Sequence, residues 1–345
     1  MFHRTLPVVA LIPVLALVLS ACSSVFLRDD APATSAPVDH AEGYGPPLPA
    51  DATVESAGAR PAREIDTTNL VGSLRPVDEP PEELIPEIVE RGRVIIGVDQ
   101  SQYLLSYRDS VSGDLLGFEI DLSREISRDI FGDPNRVEFR FVDSSDRVSA
   151  LESGDLDLVI RTMSVTHARQ QEVLFSTPYL STETRLLVMQ NSGIDSFTDL
   201  PGQTVCVADN STALQSARQY APHSPILKVR NWADCLVALQ QHQADAVVSD
   251  GFILSGISAQ DPYTTIVGGS LTPSEYAVAA ARPDPDTDTT ALIRQVNSTL
   301  ERIREDGTWW RMYDRWFSAY LATSGPPELH YRDETEETEA KEPQP

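Results

Sequence analysis

Residues 147–180 read RVSALESGDLDLVIRTMSVTHARQQEVLFSTPYL. Arg147 to Ser153 has the composition of a short helix, and Gly154 ends it. Leu156 to Ile160 then forms a compact apolar run, short enough and β-branched enough to be a strand buried on both faces. Working upstream, Val137 to Val142 places Val137, Phe139 and Phe141 at period two, a second strand. Before it, Gly117-Phe118-Glu119-Ile120-Asp121-Leu122 opens a helix that runs to Phe131, and Arg93 to Val98 (RVIIGV) is a further buried strand. Strands alternating with helices in this order imply an α/β domain whose sheet is mainly parallel.

Working downstream, the same order repeats. Arg185 to Met189 and Thr204 to Ala208 (TVCVA) read as strands, and a helix follows through Tyr220. Ile226 to Val229, a helix from Cys235 to Gln241 and a strand from Ala246 to Ser249 complete a second unit. Two long helices, Thr289 to Glu305 and Thr308 to Tyr320, come last. A chain that leaves one lobe, builds another and returns fits this order. Ligands of open α/β sheets sit beyond the carboxyl ends of strands, and clefts between lobes are favoured sites.

The two ends of the chain read differently. His3 and Arg4 precede an apolar run from Pro7 to Leu19 that is too short to span a membrane comfortably. It ends in Leu19-Ser20-Ala21-Cys22, small residues before a lone Cys, which is a lipoprotein processing box. Residues 1–21 are therefore expected to be a signal peptide, with Cys22 carrying the lipid and the rest outside the cytoplasm. An ordinary signal peptide with a chance Cys is the alternative. Three Cys less Cys22 leave Cys206 and Cys235, an even pair in an oxidising compartment. Their disulfide would stabilise the fold by roughly 3–4 kcal/mol; two buried thiols are the alternative. Residues 22–86 hold ten of the 25 prolines and little apolar periodicity, so they are expected to form an extended tether. Residues 323–345 are expected to be a disordered acidic tail, with six acids between Asp333 and Glu342 against Lys341 alone.

The formal charge of −25 argues against nucleic-acid binding, which needs a basic face. The six histidines, at 3, 40, 167, 223, 242 and 330, show no metal-ligand spacing, and neither a cofactor nor a phosphate-binding loop is indicated.

Five segments carry a resemblance: GDLLGFEIDLSREI (113–126), the stretch 147–180, DNSTALQ (209–215), CLVALQQHQADAVVSDGFIL (235–254) and NSTLERIREDGTWWRMYDRWF (297–317). Together, in this order, the chain resembles the extracellular solute-binding proteins of family 3, the polar-amino-acid-binding components of ABC importers. The pair Cys206/Cys235 and GVDQSQYLLSYRD look most like an actinobacterial glutamate-binding branch. The resemblance implies a periplasmic-binding-protein type II fold. Its two Rossmann-like lobes would comprise 87–183 with the return 278–322, and 184–277.

The resemblance also implies a ligand site. Arg169 matches the arginine that holds the α-carboxylate, for which a forked guanidinium is suited. Thr162 and Ser164, just beyond Leu156–Ile160, match hydroxyls and amides around the same group. Ser211 and Thr212 open a helix whose free N–H groups can take a carboxylate. Asp250 matches the ammonium acceptor, although Asp before Gly251 is also a common helix N-cap. Arg147 aligns with a position that meets a distal carboxylate, and Arg161 is expensive at the mouth of a buried strand unless it meets an anion. Both point to an acidic ligand, glutamate first and aspartate second. Arg161 has a competing reading as an internal partner of Asp99 or Glu119, and Arg147 as a surface residue on its helix. Tyr103 or Tyr107 is expected to stack over the ligand. Hinges near Ser181–Thr184 and Glu275–Ala279 would close the lobes on the ligand, and the closed monomer would dock on a separate permease and its ATPase. A sensor signalling to a membrane partner, or an enzyme on the same fold, are the competing classes; no catalytic constellation supports the enzyme.

Overall fold

The computed structural model describes residues 46–283, 288–323 and 325–334. The signal segment 1–21, the lipidation residue Cys22 and the acidic run after 334 lie outside the described residues. Strand β1 (Thr53–Glu55) is followed by two proline-initiated helices, α1 (Pro81–Leu84) and α2 (Pro86–Arg91). Then come β2 (Val94–Val98), a small antiparallel sheet of β3 (Ser101–Gln102), β4 (Ser106–Arg108) and β5 (Leu115–Leu116), and the long helix α3 (Phe118–Phe131). Strand β6 (Val137–Phe141), helix α4 (Arg147–Glu152), strand β7 (Leu158–Val159) and helix α5 (His167–Gln170) complete the first half.

Strand β8 (Val173–Met189) runs for 17 residues from this half into the next. The second half contains β9 (Val205–Ala208), α6 (Thr212–Tyr220), β10 (Ile226–Val229), α7 (Trp232–Gln240), β11 (Ala246–Asp250), α8 (Gly251–Gln260) and β12 (Thr264–Val267). Strand β13 (Pro273–Ala281) returns to the first half, where α9 (Thr290–Glu305) and α10 (Thr308–Trp316) close the chain. The sheet order is β1-β10-β9-β11-β8-β13-β7-β2-β6, with β12 also on β8. The β2 pairings to β6 and β7, and the β9 pairings to β10 and β11, are parallel, as the alternating pattern predicted. The two crossings pair with each other: Glu183 opposes Pro273, and Ser181 opposes Glu275.

The apolar runs are buried as their pattern requires. All five residues of β2 are buried, and α3 turns Phe118, Ile120, Leu122, Ile126 and Ile130 inward. The Phe118 ring lies 5.4 Å from Phe317 and 6.2 Å from Trp309, so α10 is fastened to the start of α3. Burial of one such side chain contributes about 1.5–3 kcal/mol. Gly117 is required here. Its φ is 128°, and a Cβ would lie 2.2 Å from the Leu105 carbonyl oxygen. Cys206 and Cys235 form a disulfide that joins β9 to α7.

The expectation of an extended tether does not hold for residues 46–86. β1 pairs antiparallel with β10, and Glu55 forms a buried ion pair with Arg218 on α6. Farther on, the His167 N–H donates to the Asp66 carbonyl and the Ser73 N–H to the His330 carbonyl. Asn297 on α9 fixes this belt to the first half: its amide donates to Leu74 O at 2.7 Å and Ser73 Oγ at 2.8 Å, while its oxygen accepts from the Thr177 N–H at 2.8 Å. The tail differs likewise, since Ser73 forms a β-bridge with Tyr331 and Arg294 pairs with Glu334. These segments have little apolar periodicity because edge pairing of the backbone, and a few anchors such as Leu74, hold them in place.

Candidate functional site

Where the halves meet, a narrow cavity of about 10 Å³ is lined by residues from both. The first half contributes Ser144, Arg147, Thr162, Ser164 and Arg169; the second contributes Ser211, Thr212, Ala213, Trp232, Asp250 and Ile253. Every contributing loop follows a strand: β6 and β7 in the first half, β9, β10 and β11 in the second. The parallel order dictates this convergence, because all these carboxyl ends point to the same crevice. The halves touch beside it. Ser164 Oγ is 3.5 Å from Thr212 Oγ1, and the Arg230 Nε lies 3.0 Å from Asp143 Oδ2.

The second half presents the start of helix α6. Ser211 is its N-cap: its Oγ accepts from the Leu214 N–H at 3.2 Å and donates to Ala208 O at 2.6 Å. Its hydroxyl is therefore committed to the helix, and what the helix offers the cavity is its unpaired first-turn N–H groups beside the Thr212 hydroxyl. Asp250 is buried at the end of β11 and makes no side-chain cap to α8. Its carboxylate instead accepts from Tyr276 Oη at 2.7 Å and Thr184 Oγ1 at 3.4 Å. Burial raises its pKa against these hydrogen bonds and the nearby Arg169.

The first half presents cations. Arg169 follows the N-cap Thr166, whose hydroxyl accepts from the Arg169 N–H. Its guanidinium donates to Ser164 O at 2.8 Å, and burial lowers its pKa while Asp250 opposes. Arg147 is 4% exposed, so the surface reading of this residue is set aside. It donates from Nε to Ser144 O at 3.0 Å and from Nη1 to Arg161 O at 3.1 Å. Among the described residues no carboxylate pairs with it, and burial together with the charges of Arg169 and Arg161 lowers its pKa.

Arg161 does not line the cavity. It is 1% exposed and pairs with Asp99 at 2.6 Å, and it also donates to Ser144 Oγ. The charge that made it expensive is met by a residue of its own chain, the competing reading of this arginine. Tyr103 and Tyr107 are likewise absent from the lining. Their rings pack on each other, 4.7 Å apart, and Tyr107 faces Trp316. Gln102, at the end of β3, reaches the site instead, donating to Thr162 Oγ1 at 3.3 Å. Ser144, Ala213, Trp232 and Ile253 were missed in the sequence. Trp232 had a legible signal, because it opens a helix directly after strand β10 and its N-cap Asn231, the same arrangement that singled out Thr212.

Residues 94–319 match the family model of bacterial extracellular solute-binding proteins, family 3. The chain belongs to that family. The ABC transporter glutamine-binding protein GlnH of Bacillus subtilis is 30% identical over 239 residues, 69% of this chain and 86% of its own length. The glutamate-binding protein GluB of Corynebacterium glutamicum is 28% identical over 237 residues, covering 65% of this chain and 78% of its own. Among solved structures, the ancestral amino acid-binding protein AncCDT-1, a precursor of cyclohexadienyl dehydratase, matches with a TM-score of 0.61 and 28% identity over 68% of this chain and all of its own. The fold is thus that of type II periplasmic amino-acid-binding proteins, and the family is extracellular.

Proposed function

We propose that this protein captures an acidic amino acid, glutamate first and aspartate second, and delivers it to an ABC importer. The relatives bind glutamine and glutamate by name, so membership alone does not choose the ligand. The observation that carries the choice is Arg147, a buried guanidinium at the cavity whose acceptors among the described residues are backbone carbonyls. Two cations and one carboxylate, Arg147 and Arg169 against Asp250, leave the cavity one positive charge in excess. Glutamate as a zwitterion with a side-chain carboxylate carries the matching negative charge, whereas glutamine carries none.

In this reading Arg169, Thr162, Ser164 and the first turn of α6 hold the α-carboxylate, Asp250 accepts from the α-ammonium, and Arg147 takes the distal carboxylate. Charge-assisted bonds of this kind are worth roughly 1.5–3 kcal/mol each. Only a ligand that touches both lobes favours their closure, because a shift of population requires differential affinity. The paired crossings of β8 and β13 supply the hinge, with lobe one spanning 87–183 and 278–322 and lobe two 184–277. A lipid on Cys22 would hold the protein at the outer face of the membrane, and permease and ATPase are separate chains.

The test is calorimetric titration of the chain downstream of Cys22, unfolded and refolded to strip ligand, with each of the twenty amino acids. Tight binding of glutamate or aspartate, lost by about tenfold or more in Arg147→Met, supports the reading. Tight binding of glutamine or of a basic amino acid instead refutes the role given to Arg147.

A further inference from the structure

Glu119 is the second residue of α3, completely buried, outside the cavity and with no part in the roles assigned above. Its Oε1 accepts two hydrogen bonds, from Tyr179 Oη at 2.5 Å and from the Thr162 N–H at 2.7 Å. Thr162 is the unusual partner. Its φ is 42°, in the left-handed region that a β-branched residue rarely enters. Such a conformation costs on the order of 1–3 kcal/mol and persists only where surrounding contacts impose it.

The contacts that impose it converge on one peptide group. The N–H of Thr162 points at Glu119, and the carbonyl of the same peptide, Arg161 O, accepts from Arg147 Nη1. Gln102 fixes the Thr162 hydroxyl from the other side. A peptide plane is rigid, so the carboxyl that sets the direction of its N–H also sets the direction of its C=O. That carbonyl is one of the two acceptors that orient Arg147.

We propose that Glu119 is a positioning residue for the ligand cavity: by accepting the Thr162 N–H it holds the Arg161–Thr162 peptide in the bend that aims both Thr162 and Arg147 at the ligand. The placement of Glu119 is itself secured. Tyr179 reaches it from β8, and the close approach of Gly117 to Leu105 fixes the start of α3. Among the described residues Glu119 Oε2 has no hydrogen-bond partner. The working bonds are therefore all on Oε1, and an acceptor there is what the role requires rather than a negative charge. Glutamine at 119 keeps such an acceptor; leucine, of similar size, does not.

This inference rests on the reading of the cavity as an amino-acid site, and two readouts keep the two apart. The first needs no ligand. In ¹⁵N-labelled wild-type protein the Thr162 amide proton is expected far downfield, protected from exchange and sensitive to the titration of Glu119. In Glu119→Gln it stays protected but stops titrating. An unprotected Thr162 amide in the wild type overturns the proposal whatever the ligand. The second is calorimetric, with the amino acid that the wild type binds most tightly. Glu119→Gln is expected within about threefold of wild type, and Glu119→Leu, checked for an unchanged circular dichroism spectrum, weaker by about tenfold or more. Equal affinity of Glu119→Leu and wild type overturns the positioning role and leaves the amino-acid reading standing. Should Glu119→Leu not fold, a tenfold loss in Glu119→Gln overturns the role, because the acceptor alone would then not suffice.

Discussion

Replacing Asn297 with leucine should detach the N-terminal belt from the first half of the molecule. Asn297 is fully buried on α9 and satisfies groups from two distant segments at once, 73–74 and Thr177. Leucine has the same number of side-chain heavy atoms in the same branched arrangement, so the substitution removes hydrogen bonds without opening a cavity. Two backbone groups lose their side-chain partner: the Thr177 N–H, 2.8 Å from Asn297 Oδ1, and the Leu74 carbonyl, 2.7 Å from Nδ2. Ser73 Oγ keeps a bond, since it also donates to Phe175 O at 2.7 Å. Orphaning a buried polar group costs about 1–3 kcal/mol, so the two together cost about 2–6 kcal/mol. For a protein of this size that lowers the melting temperature by about 5–15 °C. Asn297→Asp should lose at least as much, because its buried carboxylate still accepts from Thr177 but faces the Leu74 carbonyl with no donor. The assay is thermal and urea unfolding of all three proteins, with hydrogen exchange followed by mass spectrometry over residues 66–75. Exchange there should rise in Asn297→Leu more than over β2. A loss under about 0.5 kcal/mol, or unchanged exchange in 66–75, would refute the claim that this side chain secures the belt.

Three further outcomes follow from the same contacts. Arg161→Met leaves Asp99 buried and unpaired and should cost about 3–5 kcal/mol of stability, while the ratio of glutamate to glutamine affinity stays within twofold; a changed ratio would put Arg161 back at the ligand. Burial pushes the Glu119 carboxyl up to about 7, so the folded protein binds its proton more tightly than the unfolded chain does, and stability should fall by about 3 kcal/mol as pH rises from about 4.5 to about 7. Glu119→Gln should flatten that part of the pH profile, and a slope unchanged by the substitution would argue against it. Replacing Cys206 and Cys235 by alanine should lower stability by about 3–4 kcal/mol, read from urea midpoints; a loss below about 1 kcal/mol would show that the bridge adds little.

Most of the strands and helices were legible because their apolar periodicity is local. Val94–Val98, Val137–Phe141, Val205–Ala208 and Ala246–Asp250 match the expected runs to within a residue at either end. The reading faltered where structure depends on a distant partner. Only Arg185–Met189 was read as strand in the 17-residue β8, because Ser181, Thr182 and Glu183 are polar there and are held by pairing with β13. Residues 46–75 looked like a tether for the same reason.

Residue type and short-range spacing were enough for the α/β class and the order of the two units, and the ordered motifs carried the resemblance that implied the family and the polar residues at strand ends. Which of those residues face the cavity was decided only by the tertiary structure. Arg147 and Arg161 are both arginines that follow the ends of first-half strands, β6 and β7, and residue type does not distinguish them. Asp99, 62 positions before Arg161, takes one guanidinium and leaves the other to the cleft. Charge compensation inside a protein is settled by which side chains the fold brings within hydrogen-bonding distance, and that distance is not written along the chain.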